Sequence, residues 1–404
     1  MTMAARSHED PGTPQPGRLS APVPARRAKF KRSTRSAALR VAIDVLPLVG
    51  QPSGVGAATR GLLEALMDRP GIELSAYAVT RKAFLARREI DPRVPFRGRP
   101  IPTRVALAAW QFGTFLSAES VARPADVIHG TNFAVPPSRR AATVVTVNDL
   151  TAVRFPQLCT PSALRYPALV RRAVERGALV HVPADFVRHE VTELLGVPDE
   201  RIHVIRWGVP PVAEPTTAPP VEPPYILAIG TVEPRKDYPG LVAGFHEMSA
   251  DYADLRLVIA GADGWGAESL TDAIAARRLE DRVVRLGYVN EEERNALLWN
   301  ASALAYPSVY EGFGFPPLEA MVAGVPVVAT RAGSVPEVVG DAALLVEAGE
   351  PAELAAALES VLNDAGTRAR LIAAGHERAA MFTWDRTAVE MVALYQLAAD
   401  RRVP

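Results

Sequence analysis

Two glutamates, Glu311 and Glu319, bracket a glycine-rich stretch, EGFGFPPLE, with seven residues between them. A carboxylate accepts two hydroxyl hydrogen bonds at once, which suits a ribose or a hexose, and small glycines let a ligand approach the main chain closely. Earlier in the chain two adjacent cations, Arg235 and Lys236, follow the apolar run Tyr225 to Ile229 and the turn at Gly230. Cations in such a loop stabilise negative charge on a departing diphosphate, a role a metal often fills.

The elements around these residues read as alternating strands and helices. The apolar run Ala303 to Tyr306 is a buried strand, Gly312 and Gly314 make a turn, and Pro316 and Pro317 fit a first helical turn, where a missing N–H costs nothing. That helix runs to Ala323 and stops at Gly324, and Val325 to Ala329 is short and β-branched, as in a parallel strand. Strand, glycine loop and helix N-terminus form an anion site of N–H groups at the carboxyl edge of a sheet. A similar unit opens the ordered chain. Leu39 to Gly50 is a strand running into a loop, Gly54 and Gly56 make a glycine turn, and a helix carries Leu62, Leu63 and Leu66. Further strands are expected at Leu74 to Val79, Asp126 to His129, Ala142 to Val147, Ala178 to Val182 and Arg201 to Ile205. Neither a full G-x-G-x-x-G nor a P-loop is present.

EGFGFPPLE followed by AMVAGVPVVAT resembles the E-x7-E motif of the retaining glycosyltransferases of family 4, and GTVEPRK is similar to that family's G-x-x-x-P-R-K segment. The resemblance runs through nearly everything after residue 36. It implies an α/β GT-B fold: two Rossmann-like domains facing across a cleft, with a C-terminal helix crossing back to the first. The expected division is a basic arm at 1–36, an acceptor domain at 37–207, a proline-rich linker at 208–224, a donor domain at 225–385 and the crossing helix at 386–404.

By the same resemblance Glu319 holds the ribose, Glu311 lies by the transferred sugar, and Arg235 and Lys236 clamp the diphosphate. The amides of Gly312, Phe313 and Gly314 face sugar and diphosphate; Tyr288 and Val289 lie against the base, with Gly230 and Leu318 also on the nucleotide side. Gly54 and Gly56 face donor and acceptor from the other domain. Where many relatives have His-Asp-Leu, this chain has Asn148, Asp149 and Leu150. Asparagine keeps sugar binding but holds no proton near neutral pH. Trp207 stands where relatives often have Asn. His129, at a strand end beside Gly130, is a further candidate to reach the cleft.

The implied activity is retaining transfer of a hexosyl unit from a nucleoside diphosphate sugar to a saccharide or lipid-linked acceptor, with mannose from GDP-mannose as the best guess. An impaired GT-B partner subunit, suggested by Asn148 and Trp207, and an epimerase of the same fold are the alternatives. No cofactor is expected, and no metal: there is no Asp-x-Asp and no histidine pair at helical ligand spacing.

The chain's 404 residues exceed one ordinary domain. Lys plus Arg and Asp plus Glu both number 45, so nothing global points to nucleic acid. The single cysteine, Cys159, excludes an internal disulfide and fits a cytoplasmic protein. The cluster ARRAKFKRSTR at 25–35 is a solvated arm, with contact to anionic lipid, peripherally at the inner membrane face, or to nucleic acid as its sharper reading. Trp110, Phe112 and Phe115 are expected to pack in the core rather than form an exposed acceptor or membrane surface.

Overall fold

The computed structural model describes residues 38–402 apart from 51–52, 114 and 211; the basic arm therefore lies outside the described residues. Two parallel sheets organise the chain. The first contains β1 (Leu39–Asp44), β2 (Ile72–Val79), β3 (Phe96–Arg99), β4 (Val127–Gly130), β5 (Ala142–Thr146), β6 (Leu179–Val182) and β7 (Ile202–Val204), in the order β3-β2-β1-β4-β5-β6-β7. The second contains β8 (Tyr225–Ile229), β9 (Arg256–Ala260), β10 (Val283–Gly287), β11 (Ala303–Tyr306), β12 (Val327–Thr330) and β13 (Ala343–Val346), in the order β10-β9-β8-β11-β12-β13. The strand order reverses direction beside β1 and β8, the switch points at which such sheets bind ligands. The short Val-, Ile- and Ala-rich runs are buried on both faces because helices cover both sides.

The helix Gly54–Met67 begins at Gly54, so Gly54 and Gly56 form its first turn rather than a preceding loop. Ser53 explains the start: its Oγ accepts from the Gly56 N–H at 3.2 Å. The helix Phe315–Val322 follows Gly314, whose φ of 126° favours glycine, and Gly324 leaves it at φ 71°.

The terminal helix, Trp384–Asp400, packs on the first sheet's half. A Cβ at Gly61 would meet the Trp384 ring at 2.1 Å, and Thr387 Oγ1 donates to the Arg206 carbonyl at 2.8 Å. Trp207 is buried between His181 and Trp384, with ring centroids at 4.6 and 6.1 Å, which makes it part of this crossing. Val389, an apolar position of the helix, faces solvent.

The helix is also held by a buried chain of hydrogen bonds. His181 Nε2 lies 2.9 Å from the Ile205 carbonyl, which only accepts, so this nitrogen carries the proton. His181 Nδ1 then accepts from Thr146 Oγ1 at 2.9 Å, that oxygen accepts from His129 Nε2 at 2.8 Å, and His129 Nδ1 accepts from the Tyr395 hydroxyl at 2.8 Å. This places His129 in the interior, both ring nitrogens occupied, instead of in the cleft. The reason is its face of β4, the one the terminal helix covers.

The aromatic stretch after residue 103 divides. Trp110 packs in the core, whereas Phe112 and Phe115 are 76% and 78% exposed, contrary to the expected burial of all three. Among the described residues no helix is long and apolar enough to cross a membrane.

Candidate active site

The carboxyl edges of the two sheets meet at the loop between β11 and the helix Phe315–Val322. A Cβ at Gly312 would come within 1.8 Å of the Asn148 carbonyl oxygen, and one at Gly54 would touch Phe315 at 3.7 Å. Only glycine at 312 allows the loop this approach to the end of β5.

Glu311 sits at the centre, 7% exposed. Its Oε2 lies 2.5 Å from Arg235, and its Oε1 accepts from Lys236 Nζ at 2.6 Å. Arg235 also pairs with Glu233 at 2.6 Å and donates to the Tyr310 carbonyl at 2.8 Å. Lys236 lies over the Tyr306 ring, 4.7 Å from its centroid, and donates to the Tyr306 hydroxyl at 3.2 Å. Burial alone would raise the Glu311 pKa, but Arg235 and Lys236 outweigh it and hold the carboxyl at about 2. Burial pulls the Lys236 ammonium down, with Glu311 opposing. Two cations and two carboxylates thus balance in a largely buried cluster, with both cations held in fixed orientation.

Positions around this group follow from local geometry. Pro234–Lys236 forms a single 3-10 turn, and Asp237, in the left-handed region at φ 45°, caps the helix Tyr238–Ser249 through Gly240 N. Gly230 has φ 148° and passes close to Lys236 Cε and the Tyr238 hydroxyl. Ser334 N and Oγ both donate to the Glu311 carbonyl, at 2.9 and 3.0 Å, and fix the loop from β12's side.

Glu319, 4% exposed, pairs with Arg294 of the helix Glu291–Asn300. The sequence reading missed Arg294, because EEER at a helix start looks like a solvated surface; the Asn290 and Glu293 capping box that fixes its position was the available signal. Leu318 and Phe313 direct their side chains into the core, Phe313 against Phe315 and Phe382, so only their main chains face the loop. Tyr288 is exposed and Val289 partly buried after Gly287, which turns at φ 68°. On the opposite edge, Asn148 Nδ2 donates to the Thr131 carbonyl at 3.3 Å and lies 3.4 Å from Asn132 Oδ1. His129, bonded to Tyr395 and Thr146 in the interior, has no ring nitrogen free for this edge.

Comparison with known proteins identifies the family. Residues 52–212 match Glycosyltransferase Family 4, and residues 213–378 match Glycosyl transferases group 1. The chain belongs to the glycosyltransferases of family 4. O-antigen chain mannosyltransferase B of Escherichia coli is 28% identical over 370 residues, 88% of each chain. The MMP alpha-(1->4)-mannosyltransferase of Mycolicibacterium hassiacum is 40% identical over 132 residues, 32% of each chain. Among solved structures, sucrose-phosphate synthase from Thermosynechococcus elongatus superposes with a TM-score of 0.70 at 20% identity, covering 90% of this chain and 100% of that one. The Anabaena protein HepE in complex with UDP-glucose gives 0.66 at 18%, covering 88% and 100%. These likenesses show the GT-B fold of this glycosyltransferase.

Proposed function

We propose that this glycosyltransferase moves mannose from GDP-mannose to an acceptor hydroxyl with retention at the anomeric carbon, in glycan or glycolipid synthesis. The observation that carries the transfer reading is the convergence of Arg235 and Lys236 on Glu311, eight residues before Glu319. The mannose assignment is supported by the two mannosyltransferase relatives. In this reading the two cations stabilise the diphosphate as the glycosidic bond to the donor breaks, and closure of the two halves excludes water. Glu319, steadied by Arg294, accepts from the ribose diol. Charge neutralisation by side chains makes a divalent metal unnecessary, so activity should survive chelator. A lipid-linked acceptor and contact of the basic arm with an anionic membrane belong to the same proposal, with exposed Phe112 and Phe115 in its support.

Thermal-shift titration with GDP, UDP, ADP and dTDP sugars tests the donor half. GDP-mannose should raise the melting temperature of the wild type, and Glu319→Ala should remove most of that rise. If no nucleotide sugar stabilises the wild type, the reading is wrong. Product analysis with and without acceptor separates transfer from epimerisation.

A further inference from the structure

The chain carries 45 Lys plus Arg, yet only four of these are lysine: Lys29, Lys31, Lys82 and Lys236. Lys82 is exposed, whereas Lys236 is buried beside Glu311. An arginine in that place would stay charged in any surroundings. A buried lysine stays charged only as far as its neighbours stabilise the ammonium, so those neighbours decide how much charge a ligand meets.

Two side chains touch that ammonium directly. Glu311 Oε1 takes one N–H at 2.6 Å, and the Tyr306 hydroxyl accepts a second at 3.2 Å. The Tyr306 ring also faces the ammonium, its centroid 4.7 Å away, and the negative face of an aromatic ring attracts a cation. Tyr306 is firmly placed: it ends β11 and is 2% exposed. Its hydroxyl stays protonated, held well above its ordinary value by burial first and then by the charge of Glu311. The other groups around Lys236 are Arg235 and Glu233 on its own loop and the Tyr238 hydroxyl, which donates to the Gly230 carbonyl at 3.1 Å. An ammonium has three N–H groups, so one is left for a ligand.

Glu311 has a second duty that Tyr306 lacks. Sugar hydroxyls that donate to the Glu311 oxygens compete with Lys236 for them, and the lysine is then held by what remains. We propose that Tyr306 is a positioning residue for the transfer: its ring and hydroxyl keep the Lys236 ammonium on the diphosphate while Glu311 engages the sugar. It acts through Lys236 and touches no reacting atom. The proposal rests on the transfer reading above. Both Tyr306 contacts favour the charged lysine, so removing them lowers the pH at which Lys236 gives up its proton.

Carbon-13 NMR of the lysine Cε atoms, on the full chain without ligand, tests the hold on the ammonium, because four lysines give four signals and Lys236→Arg identifies one of them. Burial places the wild-type Lys236 midpoint below the ordinary lysine value of about 10.4. In Tyr306→Phe, which keeps the ring, the midpoint should fall by a further ~1 pH unit, and in Tyr306→Leu by more, with Lys82 unmoved. Calorimetry with GDP and GDP-mannose near pH 7 tests the division of labour. Only the sugar draws on Glu311, so Tyr306→Phe should bind GDP-mannose about 10-fold more weakly than the wild type and GDP less than about 3-fold more weakly. An unmoved Lys236 midpoint, or equal losses for the two ligands, would make Tyr306 a packing residue and overturn the proposal. If Tyr306→Leu fails to fold, Tyr306→Phe carries both comparisons. Failure of every nucleotide to bind the wild type strikes the donor reading, and the ligand-free Lys236 midpoint still decides whether Tyr306 holds the lysine.

Discussion

At the scale of single residues, Glu311 does two things: it lies where a transferred sugar is expected, and it neutralises two cations that are otherwise buried. Breaking a buried ion pair by removing one partner leaves an uncompensated charge and costs about 3–5 kcal/mol. Glu311→Gln should therefore lower the melting temperature of the ligand-free protein, even though Arg235 keeps Glu233. A nucleoside diphosphate supplies the missing negative charge, so the rise produced by GDP should be larger in Glu311→Gln than in the wild type. Thermal-shift curves with and without GDP check both signs, and an unchanged ligand-free melting temperature would show that the glutamate does not hold the cations. Arg235, Lys236, Glu311 and Glu319 were legible because each lies in a motif whose loop chemistry is local. Arg294 was not, since its partner is twenty-five residues away and only the packing of two helices joins them. His129 was misread because a strand end looks the same from sequence whichever face its side chain takes.

Elements were legible where their boundaries are set by local chemistry. Ala303–Tyr306 and the helix that Pro316 and Pro317 open fell where expected, the latter starting directly after Gly314. Phe96–Arg99 was missed because FRGR carries no apolar pattern, as befits an edge strand. The terminal helix was visible as an element, but what anchors it was not: its Tyr395 hydroxyl begins the chain through His129, Thr146 and His181. Burial pushes His181 down to about 4 and His129 well below its ordinary value of about 6.5. The folded state therefore binds fewer protons than the unfolded one as pH falls below about 6.5, and stability is lost over that fall. For His181 the loss approaches roughly 3 kcal/mol near pH 4. Glu311, held down instead, loses its contribution only below its unfolded value of about 4.5, a separate and more acidic window. Melting temperature measured from pH 7.5 to 5 should fall in the wild type and fall less in His181→Gln. Parallel curves for the two proteins would remove the histidines as the cause.

On the scale of the whole molecule, the two halves are joined by side chains that straddle the edge where chemistry is expected. Tyr310, next to Glu311, reaches into the first half between Phe155 and Phe186, with ring centroids at 5.5 and 6.0 Å. Its hydroxyl donates to Glu190 and accepts from the Leu150 N–H at 2.8 Å, and Glu190 pairs with Arg154 at 2.7 Å. A second tie lies at Glu337, whose carboxylate accepts from the Asp185 and Phe186 N–H groups at the start of the helix Asp185–Leu195, both at 3.1 Å, and pairs with Arg206 at 2.6 Å. An acidic side chain at a helix N-terminus is favoured by the partial positive charge there. Neither tie was legible, because both join residues more than a hundred positions apart. Both hold the halves together, so weakening them should shift the protein toward an open form without disturbing either sheet. Tyr310→Phe leaves a buried Leu150 N–H and a Glu190 oxygen without their partner, at a cost of about 1–3 kcal/mol charged to the closed form alone. Small-angle scattering of Tyr310→Phe without nucleotide should give a larger radius of gyration than the wild type, and GDP should restore it by binding across the closed edge. Turnover should fall about 10-fold while the melting temperature of each half changes little. Identical scattering and turnover in the two proteins would mean that Tyr310 merely fills space between the halves and that closure depends on other contacts.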